Sequence, residues 1–94
     1  MINQHDIFTS PGLRMRVIRH ALDIKQLTFA QFMKISDITL RRWEHHDYTL
    51  QPAIRNRLRY VGINPQWLEY GTGDPFEYEL PVVREKIMFA LKQK

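Results

Sequence analysis

Apolar side chains recur along this chain at three- and four-residue intervals, the spacing of one face of an α-helix. Met15, Ile18 and Leu22 form the first such stripe, with Val17 and Ala21 widening it. Ser10-Pro11 stands just ahead of it. This is a capping side chain followed by a residue whose fixed φ suits the first helical turn. The exit falls at Asp23-Ile24. A second helix has two candidate starts. Thr28 with Gln31 has capping-box spacing, but a start one turn earlier, at Lys25-Gln26, turns Phe29, Ala30 and Met33 inward together and is preferred. Lys34 then falls at a turn, where glycine is easier if φ is positive. Ile35-Ser36 closes the turn, and Ser36 caps a third helix with Leu40 and Trp43 on its inner side.

After a polar loop at residues 45–49, Pro52 opens a fourth helix with Ile54, Leu58 and Val61 inward, and Gly62 stops it. Asn64-Pro65 repeats the cap-plus-proline start, and Ile63 against Leu68 fits a hydrophobic staple. Trp67 and Leu68 anchor this short fifth helix, and Gly71 ends it. Residues 72–80 read as a turn-rich, acidic connector. Pro81 opens a last amphipathic helix, with Val83, Ile87 and Leu91 along one edge and Ala90 beside them. Strand-like alternation and internal repeats are absent. The pattern predicts an all-α chain: a five-helix domain over residues 11–71, the connector, and a C-terminal helix over 81–94.

Ninety-four residues suit one small domain with a modest core. With no cysteine there is no disulfide framework and no thiolate metal site. No segment reaches the ~18 apolar residues of a membrane span, and the first ten residues lack a secretory pattern. A soluble, cytoplasmic domain is expected. Charge is unevenly spread. Residues 13–62 carry ten Lys or Arg against four acids, whereas residues 64–80 carry four acids and no base. A basic body with an acidic flank suits a polyanion approached from one side, although a merely solvated basic surface reads the same way.

Residues 26–44 sharpen this picture. They read as a helix, a tight turn and a second helix with Asp37, Ile38, Arg41 and Arg42 outward or flanking. That is the layout of a helix-turn-helix that enters the DNA major groove. From about residue 13 to 74 the chain resembles the phage repressor and Cro-like (XRE-type) regulators. The resemblance lies in the helix-opening Gln26, the small Ala30, the Ile35-Ser36 turn and cap, and the Leu40, Trp43, Glu44 ending. The later run Ile63-Asn64-Pro65-Gln66-Trp67-Leu68 with Gly71-Thr72-Gly73 adds to it. Lys25 departs from the usual capping residue, and Lys34 and His46 from usual glycines. No C-terminal protease domain accompanies the motif, so self-cleavage is not expected.

The resemblance implies a five-helix, repressor-like fold and sequence-specific binding of double-stranded DNA. It places Asp37, Ile38 and Arg42 at base-reading positions, with Arg41 flanking. Arg42 suits guanine O6 and N7, Asp37 the cytosine amino group, and Ile38 a thymine methyl. Asp37 also reads as a simple partner of the helix dipole. Lys25 and Gln26, at a helix N-terminus, suit phosphate. Ser36 is a further phosphate candidate, and His46 and Tyr48 are candidates in the loop beside His45 and Thr49. At most two of Arg55, Arg57 and Arg59 can face DNA from one helix. Arg19 and Glu44 match a family ion pair joining the first and third helices. His45, His46 and Asp47 lack metal-ligand spacing, and no catalytic motif appears. Neither a metal, a cofactor nor enzyme activity is expected.

One recognition helix reads few base pairs, so the resemblance implies a homodimer on a palindromic operator. The last helix is the candidate dimer element; its alternative is packing back over Leu27 and Phe32. A phage or mobile-element repressor is the leading expectation. An antitoxin or restriction controller is an alternative. So is a protein-interaction module that has lost DNA contact and holds a protein partner.

Overall fold

The computed structural model describes residues 10–93. These residues form six α-helices and no strand. We label them α1 (Pro11–Ala21), α2 (Gln26–Met33), α3 (Asp37–Trp43), α4 (Pro52–Val61), α5 (Pro65–Tyr70) and α6 (Leu80–Lys92). The expected all-α architecture is the one observed. No described helix is long and apolar enough to cross a membrane.

The local signals act where their chemistry predicts. Ser10 Oγ accepts from Leu13 N–H at 3.3 Å, and Pro11 begins α1. Helix α2 starts at Gln26, the earlier of its two candidate starts. Asn64 Oδ1 accepts from Gln66 N–H at 3.0 Å ahead of α5. Gly62 and Gly71, both left-handed, end α4 and α5. Helix α6 starts one residue earlier than the sequence suggests. Leu80 takes the first position, and Pro81 the second, where a missing N–H still costs nothing.

One core joins all six helices. Met15, Ile18 and Leu22 of α1 meet Phe29, Ala30 and Met33 of α2, Leu40 of α3, Ile54, Leu58 and Val61 of α4, and Trp67 and Leu68 of α5. Helix α1 packs on α3 and α5, and α2 packs on α3 and α4. Ala21 does not join this core: it is exposed. The α1 stripe instead extends toward its N-terminus, through the buried Arg14 and Gly12. Gly12 permits a close backbone approach. A Cβ there would lie 2.7 Å from the Trp43 carbonyl oxygen and 3.0 Å from the Glu44 carbonyl carbon.

The connector is not loose. Asn64 N–H donates to the Pro75 carbonyl at 3.0 Å and Glu77 N–H to the Gly62 carbonyl at 2.8 Å, folding it across the α4–α5 corner. This delivers α6 onto α2 and α4, where Val83 and Ile87 are fully buried. Of the two expectations for this helix, packing back onto the domain is therefore met along its Val83–Ile87 edge. Phe32 is buried and borders one cleft with Ala90 and Leu91 of α6, but Leu27 stays exposed.

Candidate nucleic-acid interface

Between α2 and α3 the chain turns in three residues. Lys34 takes a left-handed conformation, φ 61° and ψ 43°, and its N–H bonds back to the end of α2. Ile35 N–H donates to the Ala30 carbonyl at 3.0 Å. The turn thus needs the positive φ for which glycine is usual, and a lysine supplies it at a steric cost. Ser36 then stops the chain from fraying: its Oγ accepts from Thr39 N–H at 3.0 Å and donates to Thr39 Oγ1 at 2.9 Å.

Helix α3 is held along its back and at its end. Leu40 is fully buried, and Trp43 stacks on Tyr48 with ring centroids 5.2 Å apart. Glu44, the C-cap, is almost wholly buried. Arg19 of α1 grips its carboxylate with two donors, Nε to Oε2 at 2.7 Å and Nη2 to Oε1 at 3.1 Å. Gln26 Nε2 adds a third at 3.0 Å, and Arg19 Nη1 also reaches the Ile24 carbonyl at 3.2 Å. The Arg19–Glu44 pair is present, and it draws in the first residue of α2. One buried carboxylate therefore ties together α1, α2 and α3.

The outer face of α3 is open. Ile38 is 62% exposed. Arg41 and Arg42 are exposed. Asp37 Oδ2 lies 3.9 Å from Arg41 Nη2, one helical turn on, so the acid has a cation beside it as well as the helix N-terminus. No ion pair engages Arg42 among the described residues. The four side chains singled out as base readers thus share one short solvent-facing surface.

The phosphate candidates divide. Lys25 and His46 are exposed, and no side chain caps α2 beside Lys25. Gln26 and Ser36 are committed to Glu44 and Thr39 as described. Tyr48 must be corrected: it does not face outward. Its hydroxyl lies 3.0 Å from the Pro11 carbonyl and 3.3 Å from the Leu68 carbonyl. Burial pushes its ionisation well above the usual tyrosine range; Arg14 opposes that shift, and Glu69 adds to it.

The basic body is smaller than the residue count suggests. Arg14 is 2% exposed, with Nε 2.9 Å from the Leu68 carbonyl and Nη2 2.8 Å from the Glu69 carbonyl. Burial lowers its ionisation from the ordinary arginine value. Arg55 pairs with the buried Glu69, which also accepts from Leu50 N–H at 3.1 Å. Arg57 donates to the Met33 carbonyl at 3.3 Å. Arg59 is exposed. Glu69 is accordingly an internal strut and leaves the acidic flank to Asp74, Glu77 and Glu79. Arg14, Arg55 and Glu69 all enter the charge totals of their segments, yet none of them is fully exposed. No spacing rule marks a buried pair such as Arg55–Glu69, whose partners come from different helices.

Among the described residues no group of three or more His, Asp or Glu side chains is placed to hold a metal ion. Comparison with family models, with curated proteins and with solved structures finds no match.

Proposed function

We propose that this chain is a double-stranded DNA-binding protein of helix-turn-helix type. More specifically, we read it as a cytoplasmic transcriptional regulator of the repressor-like kind, working as a dimer on a palindromic operator. One observation carries the reading. A seven-residue helix is locked on its inner side and at its end, yet offers Asp37, Ile38, Arg41 and Arg42 to solvent. An exposed isoleucine beside two arginines, on a helix that the fold works to hold still, suits the floor of a major groove. There Arg42 can pair bidentately with guanine, and Ile38 can pack on a thymine methyl. Asp37 either accepts from a cytosine amino group or orients Arg41, to which it is already near. Lys25, at the uncapped start of α2, and His46 are exposed and are assigned to phosphate contacts.

Selection of genomic DNA fragments by the purified protein tests the proposal. A palindrome should be enriched, and affinity should fall by roughly 0.9 log units per log unit of salt for each phosphate neutralised. Arg42→Ala should keep the melting temperature and lose about 1–3 kcal/mol of discrimination at one base pair per half-site. Lys25→Ala should instead weaken all sequences alike. Failure to enrich any sequence, with binding insensitive to salt, would move the reading to a protein-interaction module.

A further inference from the structure

Helix α6 has a second face that its own domain leaves largely uncovered; Lys86 is half-buried, with its Nζ 5.3 Å from the Tyr78 ring centroid. Val83 and Ile87 point into the core. Val82, Glu85, Lys86 and Phe89 lie on another side, at i, i+3, i+4 and i+7, and line one shallow groove together with Tyr60 of α4. Phe89 is 56% exposed, Tyr60 67% and Val82 40%. Tyr78 and Leu80, just before and at the start of α6, are exposed as well. Single exposed apolar side chains are ordinary, but a cluster containing two or three aromatic rings is typical of an interface.

The order of residues on this stripe identifies what covers it. Read along the helix it runs apolar, acidic, basic, apolar. A second α6 laid antiparallel, about a two-fold axis midway between Glu85 and Lys86, places Val82 of each copy against Phe89 of the other. The same operation places Glu85 of each copy against Lys86 of the other. All four positions are thereby matched, with opposite charges at the centre and apolar contacts on both sides. A parallel arrangement would instead set Glu85 on Glu85 and Lys86 on Lys86. Two-fold contacts require such a self-complementary patch, and like charges facing one another in an interface are costly.

We propose that the chain dimerises through this face of α6, antiparallel, with Tyr60 packing beside the apolar ends. The surface is narrow. A 13-residue helix is about 20 Å long at 1.5 Å per residue, so the contact falls at the small end of specific interfaces. Association of the free protein is accordingly weak, in the micromolar range. It is strengthened when both copies sit on neighbouring half-sites, a consequence that rests on the DNA-binding reading.

Sedimentation equilibrium of the full chain over a wide concentration range is the test, with thermal melting as a check on folding. The wild type should show a monomer–dimer equilibrium. Glu85→Lys and Lys86→Glu should each weaken it by about tenfold or more, because each creates two like-charge contacts. The double exchange E85K/K86E should restore it, and Phe89→Glu should abolish it. A monomer at every concentration, or a dimer indifferent to the single reversals, would overturn the proposal. So would a double exchange no better than the single ones. Sequence-specific DNA binding by a chain that stays monomeric would overturn this interface alone and leave the DNA reading standing. Charge-swap rescue in a chain that binds no DNA would do the reverse.

Discussion

Replacing Glu44 by glutamine probes the joint on which the arrangement of α3 depends. The carboxylate side chain is 2% exposed and its partner Arg19 14%, so solvent screens the pair very little. Glutamine keeps the volume and one acceptor oxygen. Its amide nitrogen, however, would face the Arg19 Nε–H that now donates at 2.7 Å. Removing one partner of a buried pair costs about 3–5 kcal/mol. Arg19 keeps its bond to the Ile24 carbonyl and a little solvent, which puts the cost near the lower end, about 3 kcal/mol. For a domain of this size that is a drop in Tm of roughly 12–24 °C. Urea denaturation of the wild type, E44Q, R19Q and the double variant measures it. The double variant, in which two neutral side chains can pair again, should cost less than the sum of the single ones by at least ~1.5 kcal/mol. Single losses below ~1 kcal/mol, or additivity within ~0.5 kcal/mol, would refute the idea of a buried, mutually dependent pair.

Three further outcomes are expected. Lys34→Gly should raise stability by about 0.5–1 kcal/mol, since it relieves a left-handed lysine at some loss of unfolded-state restriction; a lower Tm in a scan would reject this. Gly12→Ala should destabilise by about 1–3 kcal/mol, because the added methyl meets the backbone of Trp43 and Glu44 rather than a side chain that can rotate away; denaturant midpoints decide it. For Tyr48, ionisation is raised in the folded state, so its contribution is complete below the unfolded value near pH 10 and is lost as pH rises toward the folded value. Tyr48→Phe should therefore cost about 1 kcal/mol at neutral pH yet flatten the alkaline decline, which unfolding curves on either side of pH 10 would show.

Helix boundaries were legible because their signals are local. Ser10, Ser36 and Asn64 each cap with their own side chain, and a proline follows two of them. The ion pair of Arg19 and Glu44 was legible only through a resemblance, since the partners stand on separate helices. Tyr48 was misplaced for a related reason. Its place in a polar loop suggests solvent, but the loop lies over α1 and α5, whose carbonyls receive its hydroxyl. The burial of Arg14 is not legible in the sequence, because the α5 carbonyls of Leu68 and Glu69 that receive its guanidinium lie more than fifty residues away. The second face of α6 is hard to read in the sequence because Val83, Ile87 and Leu91 already account for its amphipathic pattern. Val82 and Phe89 become meaningful once the core edge of that helix is known to be fully occupied.

The division of labour within α3 has a further consequence. Within the helix and its caps, the holding contacts lie at Ser36, Leu40, Trp43 and Glu44, whereas Asp37, Ile38, Arg41 and Arg42 contribute little to the core. If α3 reads DNA as proposed, specificity and foldability are written in separate letters of one short word. A library randomised at those four outward positions should consist largely of folded members, and on the DNA-binding proposal successive variants could explore new target sites without first acquiring compensating changes elsewhere in the domain.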